Sequence, residues 1–381
     1  MTTPRRPRAR DLGIVVGDLP TGPLNAITDV PGVAVGHATL VEGDGPLAVG
    51  RGPVRTGVTV VLPHAGNVWT EAVFAAPHRL NGNGEMTGLE WIREAGLLAS
   101  PIAITNTHSV GVVRDALLAD RLRRRPDDEV AWGLPVVAET WDGRLNDING
   151  FHVRPEHVTA ALDAARPGPV EEGSVGGGTG MVSFGFKAGI GTASRRVELG
   201  GEPFLLGVLV QANFGRRPRF SVAGVPVGRA IPESVVPLPS TDVPATPPGS
   251  PPIDGAGSVI VIVATDAPLL PGQCERLAQR AALGIGRTGG AGETSSGDLM
   301  LAFSTGNGPF AAPAYGTVTP PTTSLRMVVD HHLDPLFHAT VEATEEAVLN
   351  SLLAAPTMTG RDGVTAHALP VELLLGALAR R

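Results

Sequence analysis

Ile253-Asp-Gly-Ala-Gly-Ser-Val-Ile-Val-Ile-Val-Ala-Thr265 joins a proline-rich segment to an unbroken apolar run. Val259 to Val263 is β-branched throughout, the pattern of a strand buried on both faces rather than of a sheet edge. The residues before it, 232–256, show almost no helix or strand period and read as a tether. Ser258 therefore heads a core strand, where its backbone is held and its side chain faces an open end. Cutting the Gly257-Ser258 bond would place a hydroxyl and a free α-amine, with a pKa of roughly 7.7–8.0, on one residue. That is the layout of a self-cleaving precursor. A plain Gly-Ser turn in front of a strand is the other reading of the same residues.

The rest of the chain limits the choices. Its 381 residues allow two domains or one large layered domain. Hydrophobic residues make up 42% and charged residues 18%, enough for a large core. Glycine (50) and proline (35) are abundant but stay below the roughly 25–30% typical of disordered chains. The net charge is −7 and Lys187 is the only lysine. No basic stripe appears beyond Arg121 to Arg125, read as a solvated helix end, so a nucleic-acid partner is not expected. The basic N-terminal residues precede no apolar stretch, and no run of 18 uncharged apolar residues occurs. A cytoplasmic protein with no membrane partner is the expectation. Cys274 is the single cysteine, which excludes an internal disulfide.

Strands are expected over Gly57–Leu62, Ile102–Thr105, Pro135–Ala138, Leu205–Gln211, Val259–Ala264, Leu299–Ser304 and Leu325–Val329. Helices are expected over Thr87–Leu98, Ser109–Leu122, Pro155–Ala165, Gly272–Ile285 and Asp334–Ala354. In the last, Asp334 is the expected cap, and Leu336, Phe337, Thr340, Val341, Ala347, Val348 and Leu352 form a buried stripe. Alternating elements imply α/β layers. Residues 1–257 and 258–381 are read as two portions of one composite domain, because Val259–Val263 is too apolar for an edge strand.

Three further segments could carry chemistry. Gly173 to Gly180 lacks the Gly-Lys-Ser/Thr ending of a P-loop and the spacing of a dinucleotide fingerprint. It reads as backbone passing close to backbone or substrate. Arg287 to Asp298 can present Ser296, the Gly297 N–H and Asp298 at a strand end, or serve only as a connector. Asn213 ends a strand, as a turn former or as an oxyanion donor. No carboxylate stands at metal-motif spacing from His331-His332.

These segments, with Asn25-Ala-Ile-Thr-Asp-Val-Pro-Gly-Val33, Leu80-Asn-Gly-Asn-Gly-Glu85, Thr105-Asn-Thr107, Leu145-Asn-Asp-Ile-Asn-Gly150, Ala264-Thr-Asp-Ala-Pro-Leu-Leu-Pro271 and Thr357-Met-Thr-Gly-Arg-Asp-Gly363, run nearly the full length. Through them the chain resembles the L-aminopeptidase/D-esterase family, which includes the β-peptidyl aminopeptidases. The resemblance implies a four-layer α/β/β/α sandwich with Ntn-hydrolase-like architecture and its own connectivity. It implies autocleavage at Gly257-Ser258 and catalysis by Ser258, assisted by Ser296, Gly297 and Asp298. Asn213 would face the oxyanion and Glu139 would bind the substrate's amino group. No cofactor or metal is implied. The expected substrate is a small peptide or an aminoacyl amide or ester, and the expected assembly is four copies of the processed pair.

One residue departs from the family pattern. Trp141 stands where the family commonly has tyrosine, and the only tyrosine, Tyr315, lies elsewhere. An indole N–H donates but neither accepts nor titrates, which bears on rate and substrate preference. Two other readings remain beside the aminopeptidase: a non-catalytic binding protein on the same fold, and an amidase or esterase for D- or β-aminoacyl or non-peptide groups. If the Ser296 loop assists directly, its hydroxyl should lie within about 3.5 Å of Ser258.

Overall fold

Ser258–Thr265 is a strand in which every residue is buried. Val259, Val261 and Val263 enter a core beneath two helices. Ile260, Ile262 and Ala264 enter a second core on the opposite face. A strand apolar on both faces must lie inside a sheet covered on both sides, and burying each of these valines and isoleucines contributes about 1.5–3 kcal/mol. The strand pairs antiparallel with Glu202–Asn213 and parallel with Gly297–Ser304. Beyond them lie Ile190–Leu199 on one side, and Glu71–Gly82 followed by the short Phe310–Ala311 on the other. The computed structural model describes residues 6–125, 132–240, 257–312 and 320–380. The tether beyond residue 240 and Tyr315 lie outside the described residues.

A smaller sheet has the order Ala34–Glu42, Val54–Leu62, Ile102–Asn106, Val136–Thr140. Only its last pair is parallel. Val61, Ile102, Ile104, Val136 and Ala138 of this sheet meet Leu209, Ile260, Ile262 and Leu301 of the larger one. Val110–Arg124 and Pro155–Ala164 cover the outer face of the small sheet. Pro271–Thr288 and Asp334–Ala354 cover that of the large sheet. The layers are therefore helix, sheet, sheet, helix, as expected. Cys274 lies in the core of the Pro271–Thr288 helix.

Several elements differ from the sequence reading. Leu325–Val329 forms no ladder; Val328 N–H instead donates to the Pro268 carbonyl, and Leu325, Met327 and Val329 are exposed. Ala34–Glu42, Glu71–Gly82 and Ile190–Leu199 are additional strands, each buried along only part of its length. Their mixed polar pattern hides them from a search for apolar runs. The helix within Thr87–Leu98 is only Leu89–Ala95, and Leu97–Leu98 joins the large sheet.

The Asp334–Ala354 helix has the expected limits, but Asp334 is its first residue and makes no side-chain cap. Of its expected stripe, Leu336, Phe337, Thr340, Ala347, Val348 and Leu352 are buried and Val341 is half-buried, but burial is not confined to a stripe. Glu342, Glu345 and Glu346 are buried as well, because Arg195, Arg287 and Arg10 reach them. A charged residue reads as surface in a sequence, and only a paired arginine from another element lets it enter a core. Arg123, Arg124 and Arg125 are exposed at a helix end, as expected, but Arg121 is buried, donating to the Trp132 carbonyl. Among the described residues, no helix is long and apolar enough to cross a membrane.

Candidate active site

Gly257 and Ser258 lie where the central strand begins. Ser258 is the register partner of Asn213, the last residue of its antiparallel neighbour. A side chain at Gly257 is forbidden, since its β-carbon would lie 1.8 Å from the Asn213 carbonyl oxygen. On the other side, the parallel register sets Val259 beside Asp298, which brings Gly297 next to Ser258. The Gly297 N–H donates to Ser258 Oγ at 3.1 Å. Ser258 is 5% exposed. A buried hydroxyl that accepts a backbone N–H is held in one rotamer, and any negative charge that develops on it is stabilised.

Asn213 is directly opposite Ser258, and opposite residues of an antiparallel pair present their side chains on one face. Its amide is fully oriented. Oδ1 accepts the Val182 N–H at 2.9 Å, and Nδ2 donates to the Trp141 carbonyl at 2.8 Å. Among the described residues the second Nδ2 hydrogen has no partner. Trp141 thus acts through its backbone, while its half-exposed ring lines a cavity of about 200 Å³. Asn213, Val182, Arg144, Arg216 and Glu233 line the same cavity.

Ser296 and Asp298 flank Gly297, the residue beside Ser258. Ser296 Oγ donates to Asp298 Oδ1 at 2.5 Å. Among the described residues no hydrogen bond joins the hydroxyls of Ser296 and Ser258 in the uncut chain. The parallel register explains this, because it places Gly297 rather than Ser296 abreast of Ser258. Burial pushes the Asp298 carboxyl up to about 6; hydrogen bonds from Ser296 and the Val259 N–H oppose that rise, and the charge of Glu293 adds to it.

Glu139 comes from the smaller sheet, one residue before the end of Val136–Thr140. Its carboxylate is buried. It accepts the Glu85 N–H at 3.0 Å and the Thr107 hydroxyl. Burial raises its carboxyl above the usual range; the two hydrogen bonds oppose this, Glu85 adds to it, and His108 opposes it. The Asn81–Glu85 loop links this group to the serine. A β-carbon on Gly84 would lie 2.9 Å from Gly297 Cα and 3.1 Å from Glu139 Oε1. One glycine therefore separates the carboxylate from the Ser258–Gly297 contact. Among the described residues no arginine or lysine forms a salt bridge with Glu139, and an ammonium group would supply the counter-charge that a buried carboxylate calls for.

The two sheets thus bring Ser258, Gly297, Asn213, Ser296, Asp298 and Glu139 to one end of the sandwich. Thr107, Gly84 and Val182 complete their contacts and were given no role in the sequence reading, although Thr107 and Gly84 lie in its quoted stretches. Their signal is weak, since each acts through one hydrogen bond or through the absence of a side chain. Gly173–Gly180 packs as expected: β-carbons on Gly177 and Gly178 would lie 2.3 Å from Gln211 Oε1 and 2.5 Å from Ile190 N. Among the described residues no cluster of three or more His, Cys, Asp or Glu side chains is placed to hold a metal ion.

The profile of peptidase family S58 matches residues 25–366. The chain is 50% identical to β-peptidyl aminopeptidase BapA of Sphingosinicella microcystinivorans, over 96% of this chain and 90% of that one. It is 44% identical to the β-peptidyl aminopeptidase BapA of Sphingosinicella xenopeptidilytica, over 98% and 92%. Among solved structures, a Burkholderia β-aminopeptidase superposes with a TM-score of 0.88 at 50% identity, over 98% of this chain and 99% of that one. The L-aminopeptidase D-Ala-esterase/amidase of Ochrobactrum anthropi, described as a variant of the Ntn hydrolase fold, superposes with a TM-score of 0.87 at 44% identity and the same coverage. The four-layer sandwich is thus of the Ntn-hydrolase kind.

Proposed function

The chain belongs to peptidase family S58, and from that premise we propose that it cuts itself once, at Gly257-Ser258, and then works as an aminopeptidase through Ser258. It is a hydrolase of the serine aminopeptidase/amidase class, which sets aside the non-catalytic alternative. The observation that carries the reading is Ser258 Oγ, held by the Gly297 N–H directly behind a glycine wedged on Asn213.

In the uncut chain Ser258 Oγ attacks the Gly257 carbonyl carbon. The C–Oγ bond forms, the C–N bond breaks, and the hydroxyl proton passes to the released α-nitrogen. Water then hydrolyses the ester, freeing the Gly257 carboxylate and the Ser258 hydroxyl. The resulting portions, 1–257 and 258–381, stay together as one composite domain, because the new terminus begins a strand in the middle of the sheet. In the mature enzyme the same oxygen attacks the acyl carbon of an N-terminal residue. The free α-amine, or Ser296 backed by Asp298, takes its proton and delivers it to the leaving amine. Asn213 faces the oxyanion on the attacked carbon, and the Gly297 N–H, released from the Ser258 hydroxyl once that oxygen is bonded to the acyl carbon, is its second donor. Glu139 pairs with the substrate's ammonium. The β-peptidyl relatives favour β-aminoacyl substrates, and turnover of paired α- and β-aminoacyl amides distinguishes the two.

Glu139→Gln keeps the shape of the ammonium subsite and removes its charge. It is expected to raise KM for free-amine substrates about 10- to 100-fold, the range for a hydrogen bond to a charged group, and to leave self-cleavage intact. Equal turnover of N-acetylated substrates by the unaltered enzyme would count against the assignment.

Asp298 predicts a pH dependence. Its ionised form accepts the Ser296 proton, so kcat is expected to fall about tenfold per pH unit below about 6. Unfolding is not the cause for this group. A carboxyl raised from 3.8 to about 6 binds its proton more tightly in the folded chain, so its contribution to stability grows as pH falls through that window. A kcat profile flat to pH 5, with the melting temperature followed in parallel, would reject the role.

The same reading includes four processed pairs per assembly and a cytoplasmic location. Light scattering that gives a lone pair at micromolar concentration removes the first, and fractionation checks the second.

A further inference from the structure

Lys187 is the only lysine of the chain and is completely buried. Among the described residues no carboxylate pairs with it. Its Nζ donates to the carbonyls of Ala188 (2.6 Å), Met181 (2.9 Å) and Gly178 (3.4 Å). Two of those carbonyls already accept backbone N–H groups, Met181 from Ala188 at 3.0 Å and Gly178 from Met181 at 3.3 Å. The ammonium is therefore not needed to satisfy them. A buried charge without a counter-charge is costly, and burial alone lowers its pKa to about 7. Its benefit has to lie elsewhere.

The Met181 carbonyl and the Val182 N–H belong to one peptide unit. Lys187 grips the carbonyl end, and Asn213 Oδ1 accepts from the N–H end at 2.9 Å. We propose that Lys187 is a positioning residue that holds and polarises the Asn213 amide through the Met181–Val182 peptide. Each bond of such a chain strengthens the next in a low-dielectric interior. The positive end withdraws electron density from the peptide, its N–H becomes a stronger donor to Oδ1, and the Nδ2 hydrogens become stronger donors in turn. A charge that cannot itself reach the reaction thereby strengthens the donor that faces a developing oxyanion. This rests on the role given to Asn213 above.

The test is a double-mutant cycle with the full-length, processed enzyme and an aminoacyl amide substrate. One oxyanion donor is worth about 10²–10³ in kcat, and a charge-assisted bond is roughly twice as strong as a neutral one. Lys187→Met is therefore expected to lower kcat about 10- to 30-fold with KM changed by less than about twofold. In an Asn213→Ala background the same change is expected to cost less than about twofold, because the relay then ends on nothing. An equal loss in both backgrounds overturns the proposal, as does a rise in KM at constant kcat. If Lys187→Met does not accumulate, Lys187→Gln, neutral with two donors, is read by the same criteria. Failure of both neutral variants to fold makes the lysine structural and also overturns the proposal. If Asn213→Ala alone leaves kcat unchanged, the role assigned to Asn213 fails first and this inference falls with it. A loss in Asn213→Ala without one in Lys187→Met rejects the relay alone.

Discussion

Ser258→Ala is expected to remain a single chain of 381 residues and to lose about 10⁴–10⁶ of its kcat, the span seen when a serine nucleophile is removed. The unaltered protein should separate into a fragment ending at Gly257 and one beginning at Ser258, read by intact mass and N-terminal sequencing. Both effects come from one atom. Ser258 Oγ is the only side-chain oxygen on the residue whose amide is cut, and it accepts the Gly297 N–H at 3.1 Å. Alanine loses that oxygen and keeps the strand, because the position is buried between Asn213 and Gly297 and demands little volume. The melting temperature should therefore change little. Cleavage of the alanine variant at the same bond would remove Ser258 as the nucleophile.

Asn213→Ala is expected to lower kcat about 10²–10³-fold, with KM nearly constant, and to slow self-cleavage by a similar factor. Both reactions pass through a tetrahedral carbon bonded to Ser258 Oγ, so one donor serves both. The amide is prepared in advance: Val182 and Trp141 hold its two ends, and Trp141 contributes a carbonyl that any residue could supply. Indole in place of phenol at position 141 consequently leaves the Asn213 contact intact and changes the cavity wall instead. A fall in self-cleavage without a fall in turnover would separate the two reactions and restrict Asn213 to the first.

The central strand could be read directly because its apolar residues are consecutive and β-branched, which has one physical solution: burial on both faces. The Asp334–Ala354 helix was bounded correctly for a similar reason, with proline at its start and a long run of helix formers. Leu325–Val329 shows the limit. It has strand composition but pairs with no strand among the described residues, and pairing is a property of two segments. Glu342, Glu345 and Glu346 show the converse, since their burial depends on arginines far away in the chain.

Within the site, Ser258, Asn213, Ser296, Gly297, Asp298 and Glu139 could all be named from the chain. Their residue types and their positions at strand ends carry local information, and the family resemblance supplied their roles. Distances could not be named. Whether Ser296 or Gly297 stands beside Ser258 depends on the register between two parallel strands joined by a helix, and a shift of one residue exchanges them. Likewise, Glu139 approaches the Ser258–Gly297 contact only because two sheets pack face to face with Gly84 between them. Lys187 was visible as a solitary lysine, yet its link to Asn213 passes through a peptide of a third segment. Composition and local pattern determined which residues could act and which strand had to be central. Register, sheet packing and hydrogen bonds between distant segments decided which of them touch, because those energies arise only when separate parts of the chain are brought together.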